Sequence, residues 1–275
     1  MNLKTIKLNN GIEIPRLGLG VWKIRDGEAV RNSVMSALQA GYRHIDTAMI
    51  YRNETGVGEG LRQSGIPREE VFMTTKLWVR DQGYDRTLAA LTASLERLGM
   101  DYVDLYLVHW PFADEEKISE KRSSTWRGME ELYRQGLARA IGVSNYTEAH
   151  LEEMKNHATV MPAVNQVEMH PFLYQKELAA YCVKNNIQIE AYSPLAHGAK
   201  LEDRLVAQIA EKYSKSTAQI LIRWSLEHGF IVLPKSTHKE RIEENFQVFD
   251  FAISSRDMQT LDGLHENFRT CWDPT

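Results

Sequence analysis

Gly18-Leu19-Gly20-Val21-Trp22-Lys23 follows the first apolar run of the chain and decides between two α/β folds. A doubly wound dinucleotide-binding fold wants G-x-G-x-x-G at this turn, the third glycine allowing the next helix to pack closely. Lysine stands at that position. Working outward, short apolar, β-branched runs begin near Leu17, Arg43, Val71, Val103, Ala138, Ala163, Ile187 and Phe230. Most are separated by about 25 to 35 residues, the length of a strand–helix unit. The intervening stretches have a helical period. Tyr84, Leu88, Leu91, Leu95 and Leu98 step by four and three and form one apolar stripe. Met129, Leu132 and Tyr133 repeat the pattern, with Gly136 as a helix stop. The longer gap from Ile187 to Phe230 predicts two helices, over 203–213 and 217–227, and a last helix is predicted near 256–263. Ile6-Lys7-Leu8 and Ile12-Glu13-Ile14 flank Asn9-Asn10-Gly11, which predicts a hairpin capping one end of the molecule. Eight β/α beats in 275 residues predict one domain over 1–275, an α/β (β/α)8 TIM barrel with an N-terminal β-hairpin.

Composition narrows the function. Lys and Arg number 33 against 37 Asp and Glu, a net charge of −4, which does not suit a polyanion, so no nucleic-acid partner is expected. Met1-Asn2-Leu3-Lys4 opens a polar–apolar alternation without the apolar stretch of a secretory signal. No run approaches about 18 apolar residues, so no membrane span is expected. Cys182 and Cys271 lie too far apart to suggest a disulfide framework or a zinc knuckle. A reduced, cytoplasmic monomer is the expectation.

In a barrel of this type the chemistry sits at the C-terminal ends of the strands. Those ends supply Asp46, Lys76, His109, Ser144-Asn145, Gln166 and Glu168, Tyr192-Ser193, and Lys235-Ser236. Each alone has an ordinary explanation, such as a helix cap, a core histidine or a solvated charge. Gathered on one rim they describe a cleft. No H-E-x-x-H or paired-histidine spacing is present, so no metal is expected. Gly142-Val143-Ser144-Asn145-Tyr146 lacks the second glycine of a serine nucleophile elbow. Asp46 with Glu168 is the one carboxylate pair that a glycosidase could use.

Asp46, Tyr51, Lys76 and His109 support a different chemistry. A phenol is a weak acid, with a free pKa near about 10. A lysine beside it stabilises the phenolate and lowers that value, while an aspartate keeps the lysine charged. A neutral histidine hydrogen-bonds and orients a carbonyl oxygen. Together they describe a proton donor to a developing alkoxide, half of a carbonyl reduction. The other half is a hydride that no side chain supplies, which implies a nicotinamide cofactor.

Gly41-Tyr42-Arg43-His44-Ile45-Asp46-Thr47-Ala48, with Tyr51 and Asn53-Glu54, resembles the first signature of the aldo-keto reductase superfamily. Val103-Asp104-Leu105-Tyr106-Leu107-Val108-His109-Trp110-Pro111 is similar to its fourth-strand segment. Ile141-Gly142-Val143-Ser144-Asn145-Tyr146, Asn165-Gln166, and Leu233-Pro234-Lys235-Ser236 with Arg241 and Glu244-Asn245 follow in the family's order. The resemblance runs over essentially the whole chain. It implies Tyr51 as general acid, Lys76 and Asp46 as its tuning pair, and His109 as the group orienting the carbonyl. Histidine at 109 also points to carbonyl reduction, because the family's steroid double-bond reductases carry glutamate there. For NADPH/NADP+, the resemblance assigns Ser144, Asn145 and Gln166 to the carboxamide and Tyr192 to the nicotinamide face. It runs Ser193 and Leu195 along the pyrophosphate, sets Lys235, Ser236 and Arg241 on the 2′-phosphate, and puts Glu244 and Asn245 near the adenine. His197-Gly198 departs from the pattern, since relatives often have glutamine before that glycine. The short ending Phe268-Arg269-Thr270-Cys271-Trp272 is similar to the small bacterial and protozoan members, which include diketogluconate reductases and prostaglandin F synthases. Trp22, Trp78, Trp110 and Trp272, with His109, are the candidate substrate wall for a small-molecule carbonyl compound.

Two rival readings belong to other classes. A cofactor-binding regulatory or redox-sensing subunit with little turnover, as in channel β-subunits of this fold, would keep the cofactor and lose turnover. A barrel glycosidase would ignore NADPH.

Overall fold

The computed structural model describes residues 4–111 and 118–274, so Met1 to Leu3 lie outside the described residues. A hairpin of β1 (Thr5–Lys7) and β2 (Glu13–Pro15) comes first, antiparallel with Ile6 opposite Ile14. Eight strands follow, β3 (Leu19–Gly20), β4 (His44–Asp46), β5 (Phe72–Leu77), β6 (Val103–Val108), β7 (Ala138–Ser144), β8 (Val164–Glu168), β9 (Gln188–Tyr192) and β10 (Ile231–Leu233). They pair in sequence order and in parallel. The sheet closes where Gly18 N donates to Val232 O and Val232 N donates to Arg16 O. This is the (β/α)8 barrel expected from the eight beats, each strand starting within two residues of its run.

The helices are α1 (Glu28–Ala40), α2 (Glu54–Ser64), α3 (Tyr84–Leu98), α4 (Ile118–Arg134), α5 (Glu148–Met154), α6 (Lys176–Lys184), α7 (Arg204–Tyr213), α8 (Thr217–Glu227), α9 (Lys239–Phe246) and α10 (Ser255–Asp262). Along α3, Leu91, Leu95 and Leu98 are buried and Leu88 is partly so, but Tyr84 stands in solvent at the helix start. The apolar stripe therefore begins one turn later than its period suggested. Leu8 and Ile14 of the hairpin pack on Phe72, Val164 and Ile231, the first residues of three barrel strands or their neighbours. The hairpin thus plugs the N-terminal end of the barrel and leaves the opposite end for chemistry.

Helix packing is tight where small residues allow it. A Cβ on Gly58 of α2 would stand 2.0 Å from the carbonyl oxygen of Leu98, the last residue of α3. Neither backbone has room to yield. Gly58→Ala should cost about 2 kcal/mol net, the overpacking penalty exceeding the gain of about 1 kcal/mol in helix propensity. Urea unfolding checks this; a stability at or above that of the wild type would show that α2 and α3 separate freely.

Candidate active site

A cavity of about 1180 Å³ opens at the C-terminal ends of the strands. Asp46 ends β4, and Tyr51 ends the 3-10 turn Met49–Tyr51 that follows it. Lys76 lies one residue before the end of β5, and His109 follows β6 directly. Lys76 is fully buried beneath the cavity floor. Its Nζ donates to Asp46 Oδ1 at 2.6 Å and to the Thr47 carbonyl at 2.9 Å, and lies 3.4 Å from the Tyr51 hydroxyl. The His109 ring stands edge-on to Tyr51 at 5.6 Å and to Trp78 at 5.3 Å.

Burial sets the proton affinities here. Burial opposes the ammonium of Lys76, yet the charges of Asp46 and Tyr51 hold its pKa above the ordinary value. Burial lowers His109 well below the usual histidine range, and the Lys76 charge adds to that, so the imidazole is neutral. The Tyr51 hydroxyl is pushed up to about 12 by burial, against the pull of Lys76. Lysine alone was expected to lower this value. Its influence has the expected sign, but desolvation of the phenolate outweighs it. Tyr51 is therefore protonated at neutral pH, with the Lys76 ammonium 3.4 Å from its oxygen.

The polar groups behind this centre are interlocked. Ser144 Oγ donates to the Gln166 carbonyl at 2.8 Å. Asn145 Nδ2 donates to the His109 carbonyl at 2.9 Å, and Tyr192 OH donates to Asn145 Oδ1 at 2.8 Å, which fixes the Tyr192 ring on the cavity wall. Gln166 Nε2 donates both to Asp46 Oδ2 at 2.9 Å and to Glu190 Oε2 at 2.6 Å. With its nitrogen turned to two carboxyl groups, the amide leaves its oxygen for the cavity. Asn145, directly after β7, and Ser193, directly after β9, both have left-handed backbone, with φ of 64° and 49°. Asparagine accepts that conformation more readily than most residues.

The cavity also brings together Ser193, Leu195, Lys235, Ser236, Arg241, Glu244 and Asn245, the last three from α9. Lys235 and Arg241 are exposed, whereas Ser236 and Asn245 are buried. Trp22, Trp78, Trp110 and Trp272 line the same space. Trp272 is 70% exposed, with its ring 5.7 Å from Trp110 and 6.5 Å from Trp78. Every residue expected at the site borders the cavity except Lys76, which is buried below it, and Glu168, which is turned to the C-terminal segment. Sequence reasoning missed Glu190, buried between Gln166 and His44, and the lining residues Ser216, Thr217 and Ala218 at the start of α8. Ser216 is the N-cap of α8, its side chain accepting from Gln219 N, so a capping-box scan of Ser216-x-x-Gln219 would have marked the helix start facing the cleft. His197 meets the Trp22 ring at 5.3 Å across the cleft. Both carboxylates of the glycosidase reading are already engaged, Asp46 by Lys76 and Gln166, and Glu168 by the C-terminal segment.

A parallel eight-stranded barrel with a buried lysine, an aspartate, a tyrosine and a neutral histidine at its open end defines an α/β-barrel oxidoreductase. The chain belongs to the aldo/keto reductase family, whose model matches residues 16–266. It is 51% identical to a glyoxal reductase of Bacillus subtilis over 98% of this chain and 96% of the relative. It is 48% identical to a 9,11-endoperoxide prostaglandin H2 reductase of Trypanosoma cruzi, over 99% of this chain and 95% of that one. The structure of a Bombyx mori aldo-keto reductase in complex with NADP superposes with a TM-score of 0.90 at 36% identity, covering 96% of this chain and 94% of that one. Among the described residues no helix is long and apolar enough to cross a membrane.

Proposed function

We propose that this protein reduces aldehydes and ketones to alcohols with NADPH, Tyr51 donating the proton to the carbonyl oxygen. The observation that carries the reading is the Tyr51 hydroxyl 3.4 Å from a fully buried Lys76 ammonium that Asp46 pairs at 2.6 Å. A carbonyl oxygen between Tyr51 and neutral His109 receives two donors, and as negative charge grows on it the Tyr51 proton moves across. The phenolate left behind is stabilised by Lys76, while Asp46 keeps that cation in place. When bound, the nicotinamide supplies the hydride that no side chain can.

The donor set fits a dinucleotide. The free oxygen of Gln166, with Ser144 and Asn145, suits a carboxamide, and the Tyr192 ring offers a stacking face. Ser193 and Leu195 border the cavity and suit the pyrophosphate. Lys235, Ser236 and Arg241 suit the 2′-phosphate, with Glu244 and Asn245 for the adenine. Trp22, Trp78, Trp110 and Trp272 provide an apolar wall that takes many carbonyl compounds without selecting one. Likeness to a glyoxal reductase makes small α-dicarbonyls a natural first test. Aldehydes, α-dicarbonyls, keto-sugars and quinones ranked by kcat/KM with NADPH test the reading. Catalysed NADPH oxidation by none of these classes would overturn it.

Trp272 acts as an adjustable wall for bulky substrates. Its burial by a large aromatic aldehyde is worth roughly 1–3 kcal/mol and by a small one little. That contact is made about equally in ground and transition states, so Trp272→Ala should raise KM for the aromatic aldehyde more than it lowers kcat. Methylglyoxal kinetics should hardly change. Equal changes for both substrates, or none for either, would remove Trp272 from the substrate site.

A further inference from the structure

Glu168 ends β8 at the rim, is 1% exposed, and has no part in the proton transfer described above. Its Oε1 accepts from Thr270 N at 2.8 Å and from the Thr270 hydroxyl, and lies 3.2 Å from His170 Nε2. Its Oε2 accepts from Cys271 N at 3.0 Å. One carboxylate at the end of a barrel strand thus takes up the two backbone N–H groups that immediately precede Trp272, about a hundred residues along the chain. Burial opposes the charge of Glu168, but these donors hold its pKa below the usual carboxylate value. An earlier station secures the same tail. The Phe172 carbonyl accepts from Glu266 N and Phe268 N at 3.2 and 3.0 Å, and the Lys200 ammonium covers both the Phe172 and Phe268 rings. That station sits on the loop beyond β8. The Glu168 station holds the backbone next to Trp272.

We propose that Glu168 is a positioning residue for substrate selection, a buried carboxylate latch that holds Thr270 and Cys271 so that the Trp272 ring stays beside Trp78 and Trp110. The physical need is plain. Trp272 is 70% exposed, too little packed to be held by its ring contacts alone. Hydrogen bonds to an ionised acceptor are stronger than neutral ones, and here they fall on the peptide groups that set the direction of the ring. The latch acts on bulky carbonyl substrates through Trp272 and leaves the Tyr51–Lys76–Asp46 centre untouched. It rests on the carbonyl-reductase reading, and its test separates the two.

The experiment uses full-length Glu168→Gln, which keeps the shape and removes the charge. Amide hydrogen exchange at Thr270 and Cys271, measured without cofactor or substrate, should accelerate about tenfold or more as the local opening becomes easier. KM for 2-naphthaldehyde should rise about fivefold to tenfold while kcat/KM for methylglyoxal stays within about twofold. Adding Trp272→Ala should cost nothing further for 2-naphthaldehyde, because both changes remove the same wall. Thr270→Val, which deletes one donor and spares the buried carboxylate, should move the exchange rates and KM in the same direction by less. Its result stands alone if Glu168→Gln does not fold. Unchanged exchange in the variants overturns the latch, as do equal losses for both aldehydes or losses that multiply with Trp272→Ala. If the wild type reduces neither aldehyde, the carbonyl-reductase reading fails and the exchange rates still decide the latch.

Discussion

Tyr51→Phe is expected to bind NADPH as the wild type does and to lose nearly all carbonyl reduction. The ring remains to fill its place between Lys76 and His109, and only the transferable proton is removed. That proton matters chiefly in the transition state, so the loss falls on kcat and kcat/KM together. General acid catalysis is worth roughly 10²–10⁴-fold, and a variant keeping more than about a tenth of kcat when chemistry limits the rate would exclude Tyr51 as the acid. Lys76→Met should fail in the same way for a distinct reason. Burial already pushes the Tyr51 hydroxyl up to about 12 even with the lysine present. Without the cation nothing offsets the desolvation of the phenolate, and Asp46 is left buried without its partner. Binding of NADPH, read from its fluorescence, separates this chemical loss from unfolding.

The second large effect concerns cofactor choice. Lys235 follows β10 and Arg241 lies six residues later on α9, both exposed and bordering the cavity. Two cations converging on a 2′-phosphate favour NADPH over NADH, and salt weakens that preference. Each charge-assisted contact is worth about 1.5–3 kcal/mol, so Arg241→Ala should weaken NADPH binding by about ten- to a hundredfold and leave NADH nearly unchanged. Titration of both cofactors at two salt concentrations measures this. Wild-type Kd values agreeing within about a factor of two would exclude the clamp.

Much of the architecture was legible because its signals are periodic. Eight apolar runs alternating with helical stretches locate the strands, and the missing third glycine at Lys23 removes the main competing fold. The rim residues followed from the rule that strand ends carry chemistry, which found Asp46, Lys76 and His109 without coordinates. What stayed hidden depends on burial and on contacts between distant segments. Glu190 sits inside Gln188-Ile189-Glu190-Ala191-Tyr192, two residues before the strand end, and only the closed barrel turns it toward Gln166. The raised proton affinity of Tyr51 reflects its burial in the folded barrel, which spacing does not report. Glu168 read as a rim carboxylate because its partners, Thr270 and Cys271, lie at the other end of the chain.

The central claim is that this barrel turns over a carbonyl compound at the expense of bound NADPH, and a single-turnover mixing experiment tests it most directly. Enzyme saturated with NADPH, with binding verified by fluorescence, is mixed with excess methylglyoxal or 2-naphthaldehyde and the nicotinamide absorbance is followed. The account predicts oxidation of one NADPH per site with one alcohol formed, fast in the wild type and nearly abolished in Tyr51→Phe. Bound NADPH that persists unoxidised in the wild type with either substrate would contradict it and would favour a cofactor-binding regulatory subunit.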